Sequence, residues 1–262
     1  MRFSSLLACL ALPACLVLQA CAVSPTGRSQ FVMLSDGQLG QMGEASFAEY
    51  KRDKEVERSG QVNAYVRCVA DAITAETGGR WEVVVFEDDT ANAFALPGGK
   101  IGVHTGLLKV AETPDQLAAV IGHEVGHVLA SHSNERMSQQ LAAQAGMTVA
   151  DLLLESQGVG SKGTIMQALG LGAQYGLLLP YSRTHESEAD VIGQDLMARA
   201  GFDPRASVAL WQNMKAQGGA APPEIMSTHP APDTRIRDLQ AGVPAAMSIY
   251  EQARAAGRRP NC

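Results

Sequence analysis

The segment Gln116–Ser131 most restricts what this chain can fold into, because its apolar residues repeat with the period of an α-helix. Pro114 and Asp115 are typical of a first helical turn, so the pattern predicts a helix that starts near them. Two histidines, His123 and His127, stand four residues apart in this segment. Because positions i and i+4 share one helix face, both imidazoles can reach a single metal ion.

The residues around the first histidine add to this pattern. Glu124 is rotated by about 100° from His123 around the helix, where its carboxylate can act as a base on a metal-activated water molecule. Gly122 and Gly126 each weaken a helix by roughly 1 kcal/mol relative to alanine. Their presence predicts that another segment of the chain approaches this helix closely.

A zinc hydrolase needs a third protein ligand, and the candidates are concentrated in residues 181–190. Glu186, Glu188 and His185 all carry suitable donor atoms, and the residue pattern alone does not choose among them. Asp190 follows Glu186 by four residues on a predicted helix, so one carboxylate can bind metal while the other orients a ligand.

Residues 1–20 have the layout of a secretory signal peptide, with one charge, Arg2, ahead of an apolar run too short to span a membrane. The LQAC motif ending at Cys21 resembles a bacterial lipobox, which predicts that Cys21 is lipidated and becomes the mature N-terminus. An LPAC motif ending at Cys15, simple secretion and an uncleaved anchor are the alternatives. Ala22, in place of Asp, favours the outer membrane.

Cysteine usage is consistent with an oxidising compartment. Of the five cysteines, Cys9 and Cys15 leave with the signal peptide, and Cys21 is consumed by the lipid. Cys68 and Cys262 remain and can form a disulfide. The alternative is a buried Cys68 and a free Cys262.

The pattern along the chain predicts a mainly helical α+β fold with one small sheet. The predicted organisation is a signal peptide over 1–20, a lipidated tether over 21–37 and one domain over 38–262. Within that domain we expect helices over 38–58 and 61–77, a strand over 81–86, a β-hairpin over 93–96 and 100–104, helices from 114 to 199 with breaks near 158–163 and at Pro180, a helix to 217 and a short helical tail.

Charge excludes one broad class of function. The chain carries 21 Lys and Arg against 27 Asp and Glu, a net charge of -6. Because binding to phosphate backbones needs a cationic face, we expect no nucleic-acid partner.

Three motifs in order resemble a known family: HEVGH at 123–127, SRTHESEAD at 182–190, and STHP at 227–230 followed by Arg235. They look like the gluzincin zinc metallopeptidases, which include HtpX, the CAAX prenyl endopeptidases and periplasmic quality-control lipoprotein proteases. The resemblance extends over about residues 24–239. With no convincing membrane helix in its sequence, this chain is similar to the soluble periplasmic lipoprotein branch.

The resemblance implies a zincin-like domain that binds one Zn²⁺ per chain, with the small sheet beside the HExxH helix. It implies His123, His127 and Glu186 as the metal ligands, Asp190 as the residue that orients them, and Glu124 as the catalytic base.

The family pattern also assigns His229 and Arg235 to stabilising the oxyanion of the reaction. Two other interpretations of His229 stay open. It can be an ordinary loop histidine, or it can occupy the fourth zinc position in a resting state and exclude water.

The predicted hairpin offers a place for substrate. Peptidases commonly add an extended chain to a sheet edge, and main-chain pairing imposes little side-chain preference. We expect that edge at Asn92 and Ala93.

The leading functional hypothesis is a zinc endopeptidase, anchored by lipid to the outer membrane, that degrades unfolded or misassembled cell-envelope proteins in the periplasm. Its expected partners are extended polypeptides, the membrane and outer-membrane assembly machinery. The alternatives are a non-catalytic chaperone or assembly factor with a structural zinc, and a zinc hydrolase of cell-wall peptides.

Overall fold

A computed structural model describes residues 21–157, 160–173, 179–217, 229 and 233–262. The predicted signal peptide lies outside these residues, and so do residues 218–228. The chain divides into two compact units. Unit 1 comprises Met1–Ser35 and Ser131–Thr184, and unit 2 comprises Asp36–Ala130 and His185–Cys262.

The described elements confirm the mainly helical α+β class. In chain order they are β1 (Cys21–Val23), β2 (Ser29–Phe31), α1 (Asp36–Asp53), α2 (Gly60–Thr74), β3 (Glu82–Phe86), β4 (Ala93–Leu96), β5 (Lys100–His104), a 3₁₀ helix (Thr105–Lys109), α3 (Pro114–Leu129), α4 (His132–Ser156), α5 (Lys162–Ala173), α6 (Leu179–Ala200), α7 (Arg205–Gln217) and α8 (Asp233–Ala255).

Unit 2 contains a three-stranded sheet in the order β3-β5-β4. Strands β4 and β5 form the predicted antiparallel hairpin, with Ala93 opposite Val103. Strand β3 pairs with β5 in parallel, which the local pattern did not predict. The outer side of β3 is bonded by an extended segment, in which the Glu57 amide donates to the Val85 carbonyl at 2.9 Å. The helix predicted over 38–58 is therefore too long, because α1 ends at Asp53.

The HExxH helix, α3, lies in the core of unit 2. It begins after Thr113, whose hydroxyl accepts a hydrogen bond from the Gln116 amide at 3.2 Å. It ends at Leu129, two residues before the predicted end, because Ser131 adopts a left-handed φ of 52°. Side chains on α3 such as Leu117 and Ile121 are fully buried against the sheet and its neighbouring helices.

A disulfide joins α2 to the other end of unit 2. The sulfur atoms of Cys68 and Cys262 lie 2.09 Å apart, and the two Cα atoms lie 5.6 Å apart. This geometry corresponds to the first of the two alternatives left open by the sequence.

Unit 1 holds the segment that was predicted as a tether, and this segment is folded. Strands β1 and β2 pair in an antiparallel ribbon. Both terminal nitrogens of Arg28 donate to the buried Glu135 carboxylate on α4, at 2.9 and 2.7 Å. The Met33 amide donates to the Ser138 hydroxyl at 2.8 Å. These contacts join the segment to the first turns of α4.

The helices of unit 1 are interrupted where the sequence predicts a break, near residues 158–163. Helix α4 ends at Ser156 and α5 begins at Lys162, and residues 158 and 159 between them lie outside the described part of the chain. Among the described residues, no helix is both long enough and apolar enough to cross a lipid bilayer. The helical tail, α8, is longer than predicted and continues through Pro244 to Ala255.

Candidate active site

Two helices of unit 2 approach each other at glycines, and this contact places the site. A Cβ atom added to Gly122 on α3 would lie 3.0 Å from the Gly193 carbonyl oxygen on α6. A Cβ atom added to Gly193 would lie 2.8 Å from the backbone nitrogen of His123. A Cβ on Gly126 would lie 3.0 Å from the Ala189 oxygen. The close approach predicted from Gly122 and Gly126 is confirmed.

Gly193 was missed in the sequence, although a signal for it exists. It follows Glu186 by seven residues and Asp190 by three, so it shares their helix face. A small residue at that position lets the carboxylates of α6 reach the histidines of α3.

Four side chains of unit 2 converge on a point where a metal ion fits. One donor atom from each of His123, His127, Glu186 and His229 lies within 4.8 Å of the other three. The Nε2 atoms of His123 and His127 are 3.1 Å apart, and His229 Nδ1 lies 3.0 Å from Glu186 Oε2. Of the three candidates for the third ligand, Glu186 is the one that this described cluster contains.

The chemistry of these donors suits zinc. Imidazole nitrogens and carboxylate oxygens are usual zinc ligands, and four protein ligands would form a closed tetrahedral site. Glu124 Oε1 is buried with no hydrogen-bond partner among the described residues, and it lies 3.4 Å from His229 Nε2. A buried carboxylate oxygen without a partner is costly, which favours a role toward a group that enters the site.

The charges in the site are strongly coupled. Burial alone would lower the pKa of His123, but the carboxylates of Asp190 and Glu186 outweigh it and raise that pKa to about 9. Burial opposes ionisation of Glu186, yet its hydrogen bonds from His123 and His229 hold the pKa well below its usual range. Without metal, the cluster therefore holds a proton where a cation would bind.

Arg235 binds the carboxylates behind the ligands. Its Nε and Nη2 atoms donate to Asp190 at 2.8 and 2.7 Å, and Nη1 donates to Glu186 Oε2 at 2.9 Å. The guanidinium carbon lies 4.3 Å from the centroid of the Trp211 ring, and the side chain is buried. These donors are aimed at carboxylates, so the contacts favour a positioning role for Arg235 over the expected oxyanion role.

Trp211 is a second residue that sequence reasoning missed. It is one of two tryptophans in the chain, and it lies on α7, outside the three motifs. Its ring centroid is 6.3 Å from that of His123. Cation–π contact with Arg235 in a buried setting links α7 to the site.

The remaining predicted residues lie nearby in the sheet. Ala93 begins β4, is buried, and stands at the edge of the sheet, and the Asn92 carbonyl accepts a hydrogen bond from the His104 amide at 3.0 Å. His104 has a structural role in the sheet, because its ring nitrogens lie 2.7 Å from the hydroxyls of Tyr50 and Thr90.

The fold and site define a zincin-like metallopeptidase. Residues 48–243 match the family model described as "Peptidase family M48". The chain therefore belongs to this family of gluzincin zinc metallopeptidases.

Similar proteins fall into two groups. The chain is 39% identical over 188 residues to the mitochondrial metalloendopeptidase OMA1 of Schizosaccharomyces pombe, covering 70% of this chain and 53% of that one. It is 32% identical over 246 residues to human OMA1, covering 87% and 47%. It is 29% identical over 233 residues to the beta-barrel assembly-enhancing protease of Escherichia coli K12, covering 82% and 45%. The chain spans about half the length of these relatives.

Proposed function

We propose that this protein is a zinc-dependent endopeptidase that hydrolyses unfolded or misassembled proteins of the cell envelope. The observation that carries the proposal is the donor cluster of buried His123, half-buried His127 and buried Glu186, with a buried Glu124 oxygen beside it that has no hydrogen-bond partner among the described residues. A purely structural zinc site has no need of a base at that position.

The residues of the site divide the work of peptide hydrolysis. Bound zinc supplies Lewis-acid chemistry, which acidifies a water molecule and polarises a carbonyl group. Glu124 accepts the water's proton at Oε1 and returns it to the leaving amine. Asp190 lies 3.0 Å from His123 Nδ1 and orients that ring. Arg235 holds both acidic side chains, Asp190 and Glu186, in place.

We further propose that His229 is the fourth zinc ligand in a resting state. Its Nδ1 atom lies within the donor cluster, 3.3 Å from His123 Nε2, while its Nε2 atom faces Glu124. With zinc bound by His123, His127 and Glu186, His229 in this position would fill the fourth ligand place and exclude an attacking water.

An extended substrate would bind along β4, from Asn92 and Ala93. In the described part of the chain, β5 is the strand that pairs with β4, whereas the outer side of β3 is already bonded by the segment around Glu57. Main-chain pairing at this edge selects unfolded segments whatever their side chains.

The proposed location is the periplasmic face of the bacterial outer membrane, with lipid on Cys21. The lipobox, the residue Ala22 after it and the disulfide support an exported, anchored protein. The name of the Escherichia coli relative suggests outer-membrane assembly machinery as a partner, whereas OMA1 is named for mitochondria.

The test compares the full lipidated protein with its Glu124→Gln variant for zinc content and cleavage of casein. We expect about one zinc in both and a loss of turnover of about 10²–10⁴-fold in the variant, because the base is removed while the ligands stay. Glu112→Gln, an exposed carboxamide substitution just before α3, is the matched control and should retain full activity.

Two outcomes would overturn the assignment. If neither protein cleaves casein and both prevent its aggregation, the chaperone with a structural zinc is favoured. If the wild type cleaves cell-wall peptides and not casein, the enzyme is a cell-wall hydrolase.

The resting-state role of His229 predicts that His229→Ala raises basal cleavage of casein, because the fourth position becomes free for water. The measurement is initial rate at equal zinc content, with Glu124→Gln/His229→Ala as the inactive control. A drop in turnover with unchanged zinc would instead support the oxyanion role alone.

A further inference from the structure

The far part of the two helices of unit 1 is exposed and apolar. From Gln140 on α4 to Leu169 on α5, none of the residues whose burial is described is buried. We name these parts of α4 and α5, residues 140–156 and 162–173, the apolar arm. Its portion of α4, residues 140–156, is about 25 Å long at 1.5 Å per residue.

The side chains on the arm are those that normally fill a core. Among the described residues, ten large hydrophobic side chains are exposed, and seven of these ten belong to unit 1. Unit 1 contains fewer than a third of all the described residues. The five on the arm are Leu141, Val149, Leu152, Leu153 and Leu169. Single exposed leucines are ordinary, but such a concentration marks an interaction surface.

The proposed lipid attachment site belongs to the same unit as the arm. Cys21 is the first residue of β1, which pairs with β2. Arg28, just before β2, donates two hydrogen bonds to Glu135 in the first turn of α4. The attachment point is therefore joined to the start of the helix that carries the arm by a folded ribbon and a partly buried ion pair.

Charge also distinguishes the two units. Once residues 1–20 are removed, unit 1 contains four Lys and Arg and three Asp and Glu, a net charge of +1, whereas unit 2 has a net charge of -8. Bacterial membranes expose anionic phospholipids, which attract a cationic surface and repel an acidic one. The unit with the exposed apolar side chains is thus the one whose charge suits a membrane.

We propose that the apolar arm lies in the interface of the lipid bilayer that receives the acyl chains of Cys21. In this arrangement the arm lies along the surface, with its leucines at the boundary between headgroups and acyl chains. The inference rests on the proposed lipid anchor and is independent of peptidase activity. It gives unit 1 the role of a membrane-contact unit with two adjoining attachments.

The test places a fluorophore on the arm of the full lipidated protein. Leu152→Cys and Leu169→Cys are labelled with an environment-sensitive dye, and Val191→Cys, an equally exposed position of unit 2, is the matched control. The cysteines Cys68 and Cys262 are paired and Cys21 is acylated, so each variant offers one reactive thiol. The proteins are bound to vesicles of phosphatidylethanolamine and phosphatidylglycerol that contain nitroxide-labelled lipid.

We expect nitroxides near the headgroups to quench the labels at 152 and 169 strongly and the label at 191 weakly. An interfacial helix lies about 5–10 Å into the boundary region, so nitroxides at the chain ends should quench less. Unquenched labels at 152 and 169 on vesicle-bound protein would overturn the proposal. So would a blue shift of these labels that grows with protein concentration in the absence of vesicles, because the arm would then bind a second copy.

Intact mass and vesicle flotation report the lipid anchor separately. Protein without acyl chains that still floats and is quenched at 152 supports the arm and contradicts the anchor. Acylated protein that floats without quenching at 152 contradicts the arm alone, and protein that lacks acyl chains and does not float contradicts both.

Discussion

Helix α3 and the second half of α4 are both rich in apolar residues, yet they lie in opposite surroundings. Every residue of α3 from Gln116 to Gly126 is buried, including His123 and Glu124. Beyond Gln139, no residue of α4 is buried. Apolar content therefore does not decide whether a helix enters a core. What distinguishes α3 is a set of buried polar side chains for which another helix supplies partners.

The largest difference between the two regions should appear when a buried cation is removed. Arg235→Met leaves the carboxylates of Glu186 and Asp190 buried without their counterion, which should lower the free energy of unfolding by about 3–5 kcal/mol. Arg136→Met, at an exposed position of α4, should change it by no more than about 0.5 kcal/mol. Urea denaturation of both chelator-treated variants checks this, and equal stabilities would contradict the positioning role of Arg235.

A second effect concerns pH. The folded metal-free protein holds the pKa of His123 at about 9, above the ordinary 6.5. The stabilisation that this proton gives to the folded state is fully present below pH 6.5 and is lost as pH rises through 9. At about 1.4 kcal/mol per pKa unit, the loss is on the order of 3 kcal/mol.

Denaturation of the chelator-treated protein at pH 6 and pH 9.5 measures this loss. His123→Gln should be much less dependent on pH over the same interval. If wild type and variant follow the same curve, the proton is held elsewhere.

The smallest effect comes from adding one methyl group in each region. Gly193→Ala places a Cβ atom 2.8 Å from the backbone nitrogen of His123. Such overpacking should lower the free energy of unfolding by about 1–3 kcal/mol and weaken zinc binding. Gly146→Ala on α4 meets nothing within 4 Å and should stabilise its helix by about 1 kcal/mol. Thermal unfolding and zinc titration of both variants test the contrast, which fails if the two changes have the same sign.

Features set by neighbouring residues could be predicted from the sequence. The start of α3 follows from Thr113 and Pro114, and the β4–β5 hairpin follows from the turn at Gly98 and Gly99, both of which adopt positive φ. The prediction is less accurate for helix α2, which ends at Thr74, three residues before the predicted end at 77, and Ala75 caps it in a right-handed conformation ahead of Gly78.

Features set by distant partners could not be predicted in this way. The ion pair of Arg28 with Glu135 joins residues 107 positions apart, so the preceding segment looks like a tether in isolation. The contact of Arg235 with Trp211, and the parallel pairing of β3 with β5, depend likewise on how separate elements pack. Nothing in the local sequence around Trp211 indicates which charge its ring will meet.

The disulfide of Cys68 with Cys262 has a consequence for a protein proposed to cut polypeptides. The covalent ring that it closes includes every residue of the donor cluster, from His123 to His229. While the bond is intact, a single self-inflicted cut anywhere within the ring leaves both fragments attached. Nicked molecules would migrate as intact chains on a non-reducing gel and separate only after reduction.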